Sequence, residues 1–134
     1  MTYQDFSKKF IFNEKIDGEY LFSLYADDYP YMEEIFQTTL QHFDEDFETL
    51  KSAFDSGSLS DLKRASHKIK PTFGFVGLIY IQEQVKEFED LCQKVHHTDE
   101  LKDDFKQILT TLADSKDIIT SEYQKLKAFN ANPV

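Results

Sequence analysis

The sequence predicts an all-α protein, an antiparallel four-helix bundle preceded by one short additional helix. Three observations carry this reading. Apolar residues recur at intervals of three and four along most of the chain. No segment alternates apolar and polar residues over the length of a strand. Chain breakers are few, with 4 glycines and 3 prolines in 134 residues. A chain of this size can bury one apolar core, so a single domain is expected over residues 1–134. An N-terminal arm is expected to about residue 17, and a polar C-terminal tail, "AFNANPV", from about residue 128.

Each helix has its own signals. The first is short, from about Glu19 to Ala26. The second begins at "DDYP", where an Asp can cap free amides and Pro30 fits the first turn. Its stripe is Phe36, Leu40, Phe43, Phe47, Leu50 and Phe54, stepping alternately by four and three along one helix face. "DSGS" stops it, with Gly57 suited to the left-handed conformation. "SLSD" starts the third helix, expected from about Leu59 to about Val76, and Gly77 interrupts it. Leu78, Ile81, Val85, Phe88, Cys92 and Val95 form the next stripe, ending at the polar "HHTDE". Thr98 can cap the last helix, whose stripe is Leu101, Phe105, Ile108, Leu112, Ile119 and Leu126.

Composition narrows the function classes. A net charge of −10 argues against nucleic acid as a partner and against anionic membranes. No apolar run approaches the roughly 20 residues that span a bilayer, and the N-terminus lacks the apolar segment of a signal peptide. Cys92 is the lone cysteine, which excludes an intrachain disulfide and makes a reducing cytoplasm the expected location. The initial Met and polar end favour a free-standing protein, and a monomer is expected.

Against this acidic background, "RASHKIKPTFGFVGL" (64–78) is unusual. No Asp or Glu occurs between Asp61 and Glu83, a run of 21 residues in which the chain's 25 acids would place about four. Lys63, Arg64, Lys68 and Lys70 surround His67. On a helical wheel, Lys63, Lys70, Pro71 and Gly74 lie within roughly 60° of His67, while Leu62, Ile69, Phe73 and Val76 face the opposite side. His67 is therefore expected on an exposed basic strip, with Lys70 one turn away and Gly74 leaving the surface flat two turns away. A neutral imidazole is a competent nucleophile. If it took a phosphoryl group, nearby lysines would stabilise the added charge and carboxylates would oppose it. A flat surface would let a partner's carboxylate approach in line.

The stretch "HKIKPTFGFVGL" resembles the signature of the histidine-containing phosphotransfer (HPt) domains of bacterial phosphorelays. Its form is H-x-[IL]-K-G, then a small residue and G-[AL]; His67, Ile69, Lys70, Gly74, Gly77 and Leu78 match it. The resemblance extends to the helix order, with the histidine in the second of the four bundle helices. It implies a phosphohistidine at His67, with Lys70 holding the phosphoryl group. It also implies exchange with the Asp of receiver domains, from response regulators or hybrid histidine kinases. No intrinsic cofactor is implied; Mg²⁺ would belong to the receiver.

Two positions depart from the family pattern. Pro71 stands where glycine is usual, and its ring removes an amide bond to the His67 carbonyl, so a local bend or widened turn is expected there. Counting equal lengths either side of Gly77 brings residues 87–89 level with His67. Glu89 stands where the family often has glutamine; it could orient the ring or repel the phosphoryl group.

Lys63, Arg64, Lys68, Pro71, Gly74 and Phe75 are candidates for partner docking, though the cations could equally be solvated and Phe75 could pack on a neighbouring helix. His42 precedes "FDEDFE" and reads as surface. His96, His97 and Asp99 lack a converging third-ligand pattern for a metal, and Cys92 reads as core. No glycine-rich nucleotide loop is present, so autokinase activity is not expected. The alternative function is a helical interaction module that binds receiver or other signalling domains without phosphotransfer.

Overall fold

The computed structural model describes residues 9–132, so the first eight residues of the expected arm and the last two of the expected tail lie outside the described residues. Five α-helices follow one another: α1 (Gly18–Tyr25), α2 (Tyr29–Asp55), α3 (Leu59–Phe75), α4 (Ile79–Leu91) and α5 (Lys102–Ala131). No strand occurs among the described residues. Helices α2 to α5 form the bundle, in which α3 packs on α2 and α4, and α5 packs on the same two helices. Short connections between consecutive helices make the neighbours antiparallel. No helix of the described residues is long and apolar enough to cross a membrane.

Local chemistry sets the boundaries. Asp28 accepts from the Tyr31 amide at 3.1 Å, and Ser58 from the Asp61 amide at 3.1 Å, so each caps its helix. After α3, the Gly77 amide bonds the Gly74 carbonyl at 3.1 Å and the Leu78 amide bonds the Phe73 carbonyl at 2.8 Å. This is a Schellman stop, with Gly77 at φ +77° and the buried Leu78–Phe73 pair beside it. The Gly77 carbonyl then accepts from the Asp17 amide at 2.8 Å, which fastens the start of α1 to the α3–α4 turn.

The apolar stripes meet inside as expected. Phe36, Phe73, Ile81, Leu112, Ile119 and Leu126 are all essentially inaccessible. In α5, Ser115 and Glu122 fill the stripe positions between these apolar residues and are completely buried as well. Ser115 returns its hydroxyl to the Leu112 carbonyl. Glu122 accepts from the Asn13 amide at 2.8 Å and pairs with Lys125 at 2.5 Å, so a carboxylate in the core ties down the N-terminal arm. Phe10 and Phe12 of that arm pack on the core's margin.

Three boundaries differ from expectation. Helix α4 stops at Leu91 rather than near Val95, and a 3-10 turn (Thr98–Leu101) precedes α5, so Thr98 opens that turn instead of capping the long helix. At the other end, α5 runs past residue 128 to Ala131. Tertiary contacts hold this polar last turn: Asn130 donates to the Tyr29 carbonyl and to Glu33, and the Phe129 ring meets Phe10 and Tyr29 edge-on. Around Pro71, α3 stays α-helical throughout, without the widened turn expected there.

Candidate functional site

His67 lies midway along α3, with its side chain 69% exposed. The flanking Ala65, Ser66 and Ile69 are buried and fix the face that α3 turns inward. Antiparallel α4 returns beside it and places Glu89 level with the imidazole. Glu89 is only 7% exposed, yet both of its oxygens are engaged. Oε2 is 2.8 Å from His67 Nδ1, and Oε1 accepts from Lys70 Nζ at 2.8 Å. Burial works against the charged carboxylate most strongly, but the hydrogen bonds and charges of Lys70 and His67 outweigh it and hold Glu89 below the usual carboxylate range.

An ionised carboxylate can only accept hydrogen bonds. His67 Nδ1 therefore carries the proton, and in the neutral ring the lone pair sits on Nε2. That nitrogen, on the far edge of the ring, has no protein partner among the described residues. Lys70 spends one of its three N–H donors on Glu89 and keeps two. The site thus presents a nucleophilic nitrogen of fixed tautomer beside a cation.

The surrounding charges are more balanced than the sequence suggests. Arg64 pairs with Asp61 at 2.9 Å, and Lys68 approaches Asp46 of α2 at 3.5 Å. Lys63, half-buried, makes no ion pair among the described residues. Acid-free in sequence is not acid-free in space: Asp61 at the start of α3, Asp46 of α2 and Glu89 of α4 bring carboxylates to the strip. Arg64 and Lys68 remain largely exposed, and such surface pairs are worth about 0–1 kcal/mol, so a partner can displace them.

Of the other candidate residues, Pro71 is exposed and Phe75 is 52% exposed. The Phe75 carbonyl accepts from the Tyr25 hydroxyl of α1 at 2.9 Å. Gly74 does not belong to the exposed strip. It is buried, and an added Cβ there would lie 3.0 Å from the Gln82 amide of α4. The strip that faces outward at His67 passes under the first turns of α4 by residue 74, so this glycine allows close helix approach instead of offering a flat surface. Gln82 is a contributor that the sequence did not single out, since only the α3–α4 crossing selects it. His42 is exposed and Cys92 is buried. The His96 and His97 amides both donate to Glu100 at 2.8 Å.

The model of the Hpt domain family matches residues 34–116, more than half of the chain, with His67, Lys70 and Glu89 inside the match. The chain belongs to the Hpt domain family. Hpt domains function in two-component phosphorelays. Among solved structures, the Hpt domain of the Hpt sensor hybrid histidine kinase from Shewanella is similar at 13% identity, with a TM-score of 0.71. The similarity covers 83% of this chain and 95% of that one and shows a shared Hpt bundle fold. No curated protein matches the chain.

Proposed function

We propose that this Hpt protein is a phosphorelay carrier, in which His67 accepts a phosphoryl group from the aspartate of one receiver domain and passes it to another. The observation that carries this reading is the exposed imidazole whose Nδ1 is bonded to a carboxylate, leaving Nε2 as the nucleophile. Attack by the Nε2 lone pair forms the N–P bond as the receiver's P–O bond breaks, and the electron pair returns to the aspartate. Lys70 turns its two remaining N–H groups to the phosphoryl oxygens. Phosphoryl transfer gains most from positioning and charge stabilisation, both available here. Mg²⁺ is taken as the receiver's, as the family resemblance implies. Lys63, Arg64, Lys68, Pro71 and Phe75 form the face a receiver would cover.

The test is transfer of labelled phosphate from a panel of phosphorylated receiver domains with Mg²⁺. Label that survives alkali and is lost in acid supports the reading. Receiver binding without any label would support the interaction-module alternative. Lys70→Ala is expected to slow transfer or shorten the phosphohistidine lifetime by about tenfold, less than the hundredfold or more typical of a donor enclosed in an active site. An unchanged rate and lifetime would remove Lys70 from the mechanism.

A further inference from the structure

We propose that Glu89 is a positioning residue that holds the Nδ1 proton on the phosphorylated ring of His67, keeping the phosphoryl group transferable as pH rises. The inference rests on His67 being the phosphoryl acceptor. Its ground is a proton inventory. When Nε2 bonds phosphorus, the ring carries Nδ1–H and a positive charge. When an incoming oxygen takes the phosphorus, the N–P electrons return to Nε2 and a neutral imidazole leaves, still carrying Nδ1–H. No proton enters or departs over the cycle, provided Nδ1 stays protonated. If that proton is lost to solvent, the leaving group becomes an imidazolate anion and the N–P bond becomes inert.

A carboxylate 2.8 Å from Nδ1 opposes that loss, because it favours the cationic ring. A glutamine at the same place would accept the hydrogen bond without supplying the charge. Lys70 anchors the other oxygen, so the carboxylate cannot rotate away without breaking that bond. Its engagement with Lys70 and His67 also keeps Glu89 ionised across the neutral range.

No neighbouring group substitutes for it. His67 and Lys70 of α3 face Glu89 directly, with Lys63 and Arg64 lining the same depression. Asp46 of α2 is turned to Lys68. Among the described residues, α5 places no charged group in ion-pairing distance of Glu89. Cys92, just past the end of α4, has its thiol pushed up to about 11 by burial and by the Glu89 charge, and so stays neutral below pH 9.

The test loads the protein with phosphoramidate, a small-molecule phosphoryl donor, and follows hydrolysis of the N–P bond by 31P NMR between pH 6 and 9. The wild-type rate is expected to fall only at a higher pH than that of Glu89→Gln, because the Glu89 carboxylate favours the protonated ring. Glu89→Gln is expected to slow by roughly tenfold per pH unit once the ring proton dissociates. Glu89→Asp, which restores the charge, should move the fall back toward the wild-type pH. Circular dichroism identifies any variant that fails to fold. Independently, the 15N shift of Nδ1 in phosphorylated wild type at pH 8 should report a protonated nitrogen. An unprotonated Nδ1, or superimposed profiles for wild type and the Gln variant, would overturn the inference. Loading without exchange to any receiver would count against the relay reading alone. Failure to load His67 would remove both.

Discussion

Replacing His67 with Gln is expected to reduce phosphoryl uptake at least 10³-fold, to background, while leaving the fold intact. Glutamine is a good helix former, and its amide can donate to Glu89 as the imidazole does. The side chain at this position is 69% exposed, so no cavity is created. The stability change should stay within about 1 kcal/mol. What disappears is the nitrogen lone pair, since an amide nitrogen is not nucleophilic. Acid-labile phosphate incorporation and a thermal melt on the same sample separate the two effects. Incorporation that survives the substitution would place the acceptor elsewhere.

Gly77→Ala is expected to cost about 3 kcal/mol, and Gly57→Ala only about 1. Both glycines follow a helix with positive φ, +77° and +76°, where an L side chain pays roughly 1–2 kcal/mol. Their surroundings differ. A Cβ at Gly57 meets nothing within 4 Å, whereas at Gly77 it would lie 2.9 Å from Ile16 Cγ2 and 2.9 Å from Leu21 Cγ. Both of those side chains are buried, and overpacking of this kind adds about 1–3 kcal/mol. The turn at Gly77 also sets the register that brings Glu89 to His67, so relaxation of this clash would be felt at the site. Urea unfolding of the two variants gives the comparison directly; equal losses would mean that backbone conformation alone governs both positions.

The bundle was legible because its information is local and periodic: a stripe such as Phe36, Phe43 and Leu50 shows its buried face by spacing alone. His67 was legible as well, because its cation neighbours lie within one turn of the same helix. What escaped depends on contacts between helices. Glu89 could be brought level with the histidine by counting from Gly77, but whether it orients or repels depends on a side-chain geometry that counting does not supply. Gly74 shares the histidine's angular sector and is nevertheless covered by Gln82, since a wheel has no knowledge of the neighbouring helix. Asp46 neutralises part of a strip that looks purely basic when read along the chain. Ser115 and Glu122 keep the spacing of the α5 stripe, but their polar character gives no sign of the burial that packing between helices imposes.

The contact between Asn13 and Glu122 has a consequence for hydrogen exchange. Asn13 lies in a stretch without regular helix or strand, yet its amide donates at 2.8 Å to a carboxylate with no solvent exposure. Amides in irregular segments ordinarily exchange early. This one is expected to exchange more slowly than other amides of its stretch, because releasing its proton requires the segment around Asn13 to leave Glu122. Its rate therefore measures the free energy of detaching this segment separately from global unfolding, and exchange as fast as in an unstructured peptide would show that the segment opens on its own.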